Sequence, residues 1–171
     1  RVDRRQRQMC IRDRPTIAIG NAWRHSTMFV RMGSLQLEQA RRKMAKTITT
    51  ACPCGSSNYE QCCKPYHDGA AAPTAEALMR SRYSAYVLGL MDYVYATWHA
   101  STRPALAELV HDPALKWLGL EVRRFAPGTD EATVEFVARS KSAGRAQRLH
   151  EVSRFVKEDG RWFYIDGVFP E

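Results

Sequence analysis

Four of the chain's five cysteines fall within twelve positions, in the stretch CPCGSSNYEQCC. One residue separates Cys52 from Cys54, and after seven further residues come the adjacent Cys62 and Cys63. Zinc binds four thiolate or imidazole ligands in a tetrahedron, and a short loop closing two ligand pairs supplies such a set. We recognise no export signal and expect a reducing cytoplasm, where clustered thiols are more often metal ligands than disulfides. The spacing therefore predicts one structural Zn²⁺ ion held by these cysteines.

Two other uses of the thiols remain open, a dithiol redox site and a set of incidental free thiols. The redox alternative lacks the C-x-x-C spacing, and adjacent cysteines form only a strained ring. His67, four residues after Cys63, could replace one sulfur, although a lone histidine in such a place is more often a solvated side chain. Apart from Tyr59 and Tyr66 the segment has almost no apolar residues, so we expect it to fold only with its metal.

The first 43 residues differ from the rest of the chain. The run RRQRQMCIRDR resembles one reading frame of a transposon sequencing adapter, and we interpret residues 1–14 as an adapter-derived artefact. The alternative is a natural basic tail that binds nucleic acid. Residues 15–43 have no clear periodicity, and we interpret them as translated leader or disordered sequence before a start at Met44.

The net charge of +8 comes from this N-terminal part. Residues 1–43 hold eleven Lys and Arg against three Asp and Glu, whereas residues 44–171 hold fifteen of each sign. A nucleic-acid partner, which a basic chain otherwise suggests, is therefore not favoured. Residues 15–43 are also too short and too charged for a membrane span, and we expect no membrane association.

Helical patterning begins after the cysteine-rich segment. Thr74 is a suitable cap for a helix with a broad apolar stripe, and Gly89 is a suitable end for it. Asp92 can cap a second helix that continues through Trp98, and LAELVHDP is a further helical segment.

Strand-like alternation follows in four segments, WLGLEVRRF, ATVEFVARS, AQRLHEVSRFVKE and RWFYIDGVF. Gly144 marks one turn, and Asp159-Gly160 is a hairpin signal. Simple alternation places Leu118 on the same face as Leu120, and Asp166 on the same face as Tyr164. Helices followed by antiparallel strands predict an α+β domain.

Two stretches resemble known families. CPCGSSNYEQCCKPYHDG resembles the SEC-C motif, a zinc-binding module named for the C-terminus of the SecA translocase, although the usual gap of about eight residues is seven here. PTAEALMRSRYSAYVLGLMDYVYATWH and RLHEVSRFVKEDGRWFYIDG resemble the YchJ family of uncharacterised bacterial proteins, over about residues 52–168. The resemblance implies a SEC-C zinc knuckle at residues 44–68 and a nuclear-transport-factor-2-like (cystatin-like) cone at residues 69–171. In such a cone a curved antiparallel sheet wraps a helix and leaves a pocket.

The strand segment HEVSR carries three side chains suited to chemistry in such a pocket. His150 and Glu151 are candidates for acid–base catalysis, and Arg154 is a candidate anion clamp. Alternation puts His150 and Arg154 on one face and Glu151 on the other, and a charged strand is also what a solvated sheet face shows. The remaining pocket candidates are Arg82, Tyr83, Trp98, His99 and Trp117, although aromatic residues at this density more often belong to a core than to a ligand site.

The leading functional prediction is a small cytoplasmic zinc protein that acts as a binding or adaptor module. The SEC-C resemblance suggests a protein partner, for which Tyr59, Lys64 and Tyr66 are the candidate exposed contacts. The alternative is a small-molecule binder or enzyme that uses the cone pocket through His150 and Arg154. A nucleic-acid binder is third. We lean against an enzyme, because residues 44–171 contain no P-loop, nucleophile elbow or dinucleotide fingerprint.

Overall fold

The computed structural model describes residues 50–170. The interpretations of residues 1–14 and 15–43, and the first residues of the knuckle, lie outside this range. Three helices come first, α1 (Lys64–His67), α2 (Ala75–Leu88) and α3 (Met91–Ala96), and a 3₁₀ turn follows at Leu106–Glu108. None of the described helices is long and apolar enough to cross a membrane.

The caps of α2 are those that the sequence predicts. The Thr74 hydroxyl accepts a hydrogen bond from the Ala77 amide at 3.1 Å, and Gly89 ends the helix in the left-handed region with φ of 74°. The second helix, α3, ends at Ala96 rather than at Trp98, and Asp92 lies within its first turn instead of capping it.

A four-stranded antiparallel sheet follows, in the order β1-β2-β3-β4. The strands are β1 (Lys116–Ala126), β2 (Glu131–Ser142), β3 (Arg145–Glu158) and β4 (Arg161–Val168). Two-residue turns with positive φ at both positions, Ala143-Gly144 and Asp159-Gly160, join β2 to β3 and β3 to β4. This is the geometry that a type I′ hairpin requires, and the predicted α+β class is confirmed.

Two irregularities in the pairing change the faces that simple alternation predicts. A register shift between Trp117 and Gly119 leaves Leu118 58% exposed. A second shift, after Arg154, pairs Asp166 with Arg154 while Tyr164 pairs with Phe155. An inserted residue reverses the inward and outward sense beyond it, so the predictions for Leu118 and Asp166 are wrong.

The core lies between α2 and one face of the sheet. Leu78, Met79 and Tyr83 of α2 are buried there, and the inner face of the sheet contributes, among others, Val134, Phe136, Phe155, Trp162 and Tyr164. The segment after α3 is fixed to β4, because the His99 amide donates to the Tyr164 carbonyl at 2.7 Å and the Tyr164 amide donates to the Thr97 carbonyl at 3.0 Å.

Candidate functional site

The four clustered cysteines form one compact group of sulfur atoms. All four Sγ atoms lie within 4.8 Å of one another, with 3.5 Å between Cys54 and Cys62 and 3.8 Å between Cys62 and Cys63. Tetrahedral zinc with Zn–S bonds of about 2.3 Å requires sulfur–sulfur distances of about 3.8 Å. The four thiols therefore fit a tetrahedral Zn²⁺ site with little rearrangement.

A tight turn positions the first ligand pair. The Gly55 amide donates to the Cys52 carbonyl at 2.9 Å, and the Cys52 amide donates to the Ser56 carbonyl at 2.8 Å. Gly55 has φ of 99°, a conformation that side chains rarely adopt. The second pair lies directly before α1, so Cys62 and Cys63 precede that helix rather than projecting from its first turn.

Because the thiols lie close together, their pKa values shift in opposite directions. The hydrogen bond from Cys63 lowers the pKa of Cys54 to about 4, and the Ser56 backbone amide adds to this effect. The same contact raises the pKa of Cys63, and burial raises the pKa of Cys62. Four thiolates this close repel one another, and a bound divalent cation is the species that compensates their charge.

The cysteine cluster is docked on α2. The Ser84 hydroxyl donates to the Cys63 sulfur at 3.3 Å and lies 3.7 Å from the Cys52 sulfur. Arg80 reaches the Cys54 carbonyl at 3.5 Å. Cys52, Cys54 and Cys63 are buried and belong to the same core as α2 and the sheet. The knuckle is therefore packed against the helix as a part of the core.

His67 ties the knuckle to the helices and is not placed as a ligand. Its Nδ1 lies 2.8 Å from the Tyr59 hydroxyl and its Nε2 lies 2.9 Å from the Ser81 carbonyl. Its ring also packs edge-on against Tyr93, with centroids 4.6 Å apart. Burial lowers the pKa of His67, which favours the neutral imidazole. Both nitrogens are occupied, so the solvated side chain that the sequence suggested is not what the fold contains.

The predicted partner contacts are less exposed than the sequence suggests. Tyr59, Lys64 and Tyr66 are all half-buried, and the Tyr59 hydroxyl is committed to His67. Lys64 forms ion pairs one helical turn away on either side. Residues 55–57 and 60–61 form an exposed rim of the knuckle, and residues 50–51 and 68 are exposed as well.

A cleft lies between α2 and the inner face of the sheet. Its empty volume is about 560 Å³, which includes the solvent at its mouth. Of the predicted pocket residues, Arg82, Tyr83, Trp117 and Glu151 line it. The aromatic part of its wall is formed by Tyr83, Tyr86, Trp117, Phe136, Phe155 and Tyr164.

Glu151 is the buried acid of this cleft, only 2% exposed. Its Oε1 accepts hydrogen bonds from the Ser153 hydroxyl at 2.7 Å and the Tyr164 hydroxyl at 3.0 Å. Gly167 lies so close that a Cβ there would collide with the carboxyl group. Burial raises the pKa of Glu151 and so favours its neutral acid form.

Arg82 is the buried cation of the cleft. Its Nη1 donates to the Val94 carbonyl and to the Thr97 hydroxyl, each at 2.7 Å. Its guanidinium carbon lies 5.3 Å from the Trp98 ring centroid and 4.8 Å from that of Tyr164. These contacts fix the cation beside the cleft, while Trp98 itself lies behind the wall and does not line it.

The other predicted pocket residues, His150, Arg154 and His99, do not line the cleft. His150 points to the opposite face of β3, where its Nε2 lies 2.8 Å from Glu135. Arg154 is on that face too and forms a bidentate ion pair with Asp166, at 2.6 Å for each bond. His99 contacts Ser101 and Glu158 at the surface. The proposed use of His150 with Arg154 in the pocket is therefore wrong, because both residues lie on the face of β3 opposite to Glu151 and neither lines the cleft.

A family model described as the middle NTF2-like domain of YchJ matches residues 74–167. A UPF0225 protein from Chromobacterium violaceum is 54% identical over 132 residues, which cover 74% of this chain and 98% of the relative. A UPF0225 protein from Methylibium petroleiphilum is 60% identical over 126 residues, which cover 72% of this chain and 91% of the relative.

Two solved structures are similar to this chain in both fold and sequence. The solution structure of a SEC-C motif containing protein from Rhodopseudomonas palustris is 34% identical with a TM-score of 0.62, and it covers 71% of this chain and 100% of that one. The crystal structure of a SEC-C motif containing protein from Psychrobacter arcticus is 32% identical with a TM-score of 0.61, and it covers 71% of this chain and 84% of that one.

Proposed function

Because the chain belongs to the YchJ family, we propose that it is a cytoplasmic zinc-binding module whose knuckle, ordered by one structural zinc, is the contact surface for a protein partner. The observation that carries the proposal is the group of four sulfur atoms, all within 4.8 Å of one another and docked on α2. The SEC-C motif in the names of both structural neighbours supports the same assignment of the cysteine segment.

Zinc would act here by ordering the chain. When bound, it is held by Cys52, Cys54, Cys62 and Cys63 and supplies the positive charge that lets four thiolates lie together. Four protein ligands complete a tetrahedral shell, which is typical of a structural site. The consequence for recognition is a fixed rim at residues 55–57 and 60–61.

The rim is polar, with the sequence GSS at 55–57 and Glu60-Gln61, and its side chains are exposed. A polar, exposed and rigid loop suits a hydrogen-bonded contact with another protein and has little apolar area for a permanent interface. We therefore propose a reversible partner that binds at this rim.

Elemental mass spectrometry of the full chain tests the metal. We expect one zinc per chain in the wild type and loss of zinc in Cys52→Ser. Cys10→Ser, which changes the remaining cysteine, is the matched control and should keep the full zinc content. Wild-type protein without zinc, or equal loss in both variants, would contradict the zinc assignment.

Site-specific photo-crosslinking tests the partner. A crosslinker at Ser57 should capture one dominant protein in cells, and capture should disappear in the Cys52→Ser background. A crosslinker at Lys141, an exposed position on β2 away from the knuckle, is the control and should not capture the same protein. Equal capture from both positions, or none from Ser57, would contradict a partner at the rim.

A further inference from the structure

The cleft under α2 has the lining of a ligand site. Pockets for small molecules have apolar walls with a few converging polar groups. Six aromatic side chains contribute to the wall here, and Arg82 and Glu151 are the ionisable groups that a small molecule would meet, along with tyrosines. The zinc knuckle does not contribute to this lining, so the cleft is a site separate from the proposed function.

Both of these groups are buried without forming an ion pair with each other. Arg82 is 5% exposed and Glu151 is 2% exposed, and among residues 50–170 no ion pair joins them. Burial of an ionisable group is costly unless a partner compensates it. Neutral hydrogen-bond partners compensate part of this cost, and a ligand that reaches both groups would compensate more of it.

The hydrogen bonds show which atoms remain for that ligand. Nη1 of Arg82 uses its protons on Val94 and Thr97, and within the described residues Nε and Nη2 form no hydrogen bond. Oε1 of Glu151 accepts from Ser153 and Tyr164, and in the same range Oε2 has no partner. In its neutral form Glu151 adds an O–H donor to the N–H donors of Arg82, and converging donors next to a cation fit an anionic acceptor.

We propose that the cleft binds a small monocarboxylate with an aromatic or other apolar body, its carboxylate against Arg82 and the Glu151 carboxyl and its body among the aromatic side chains. The bound ligand and Glu151 then hold one proton between two carboxyl groups, and Arg82 balances the single negative charge. An amide would make weaker hydrogen bonds to Arg82, and an amine would be repelled by it.

Because Glu151 must hold a proton in the complex, binding depends on pH. Two elements bring titratable or charged groups near Glu151: α2 contributes Arg82 and Tyr83, and β4 contributes Tyr164 and Asp166. The neighbouring residue on β2 is the apolar Phe136. Above the pKa of Glu151 in the free protein, binding requires proton uptake, and the affinity falls about tenfold per pH unit.

The test uses three probes with the same ring, phenylacetate, phenylacetamide and 2-phenylethylamine, added to the isotope-labelled full chain and followed by two-dimensional NMR. We expect phenylacetate to bind about tenfold or more tightly than the other two, with shifts centred on α2 and β3. Tighter binding of the amide or the amine, or no binding of any probe at millimolar concentration, would overturn the proposal.

Two neighbouring substitutions separate the role of Glu151 from a general effect on the strand. Glu151→Gln keeps the size and a neutral donor, so phenylacetate binding should persist and lose its fall at alkaline pH. His150→Gln, one residue away on the opposite face, is the control and should keep the wild-type pH dependence. A wild-type affinity that does not change as pH rises, or a Glu151→Gln profile that matches the wild type, would overturn the proposal.

Discussion

The cysteine cluster and the cleft lie against different faces of α2 and bury ionisable groups in opposite ways. Ser84 and Arg80 of the helix hold the cluster, whereas Met79, Arg82 and Tyr83 line the cleft. In the cluster four like groups approach within 4.8 Å of one another, an arrangement that could hold a single cation. In the cleft an acid and a base are each hydrogen-bonded to neutral neighbours. The comparison shows two ways of burying ionisable groups, one that calls for a shared cation and one that uses neutral hydrogen-bond partners.

Of the changes that test this comparison, metal removal should have the largest effect on the free energy of unfolding. Because the cluster belongs to the core, stripping zinc with a strong chelator should lower the free energy of unfolding by several kcal/mol, measured by denaturant titration. The same chelator should have no further effect on Cys52→Ser. Unchanged stability after complete zinc loss would show that the knuckle does not support the domain.

Gly167→Ala tests how tightly Glu151 is held. The added Cβ collides with the carboxyl group, so we expect a loss of about 1–3 kcal/mol in the free energy of unfolding. In a Glu151→Ala background the collision is absent, and the same substitution should cost much less. Equal losses in both backgrounds would show that the carboxyl does not occupy this position.

His67→Ala should weaken the docking of the knuckle without removing its metal. The loss of the contacts to Tyr59 and to the Ser81 carbonyl should cost about 1–2 kcal/mol, measured by denaturant titration, with one zinc per chain retained. Loss of zinc from this variant would instead make His67 a ligand.

Arg154→Ala should have the smallest effect, because its ion pair with Asp166 is exposed. We expect a loss of about 0.2–1 kcal/mol at neutral pH. Arg154 lowers the pKa of Asp166, so this contribution is present above the ordinary carboxyl pKa and disappears as the pH falls through the lowered value. Arg161→Ala, an exposed change on β4, is the control; a larger loss at acid than at neutral pH would contradict the assignment.

The sequence predicted best where the determining residues are neighbours. The four cysteines, the cap at Thr74, the stop at Gly89 and the turn at Asp159-Gly160 are each defined by a few adjacent positions. The YchJ family and the NTF2-like α+β fold, predicted from longer strings, are confirmed. The metal itself and the partner stay predictions.

The cleft was harder to predict because its parts come from distant segments. Arg82 and Glu151 are 69 positions apart in the chain, and nothing local indicates that they share a cavity. One signal was available: Glu151 lies between Leu149 and Phe155 on the face of β3 that also carries Ser153, and a carboxylate is unusual on a face that packs into a core. The placement of Asp166 beside Arg154 depended on a register shift in the pairing of β3 with β4, which propensity and alternation do not reveal.

The crowding around α2 has a consequence for sequence variation. From Leu78 to Ala85 every residue except Arg80 is buried, because cluster, sheet and α3 surround the helix. Most surface helices keep one side on which substitutions are nearly neutral, and this one has almost none. Random mutagenesis of the chain should therefore find the longest run of intolerant positions here, and inserted tags or labels are better placed on the sheet's outer face.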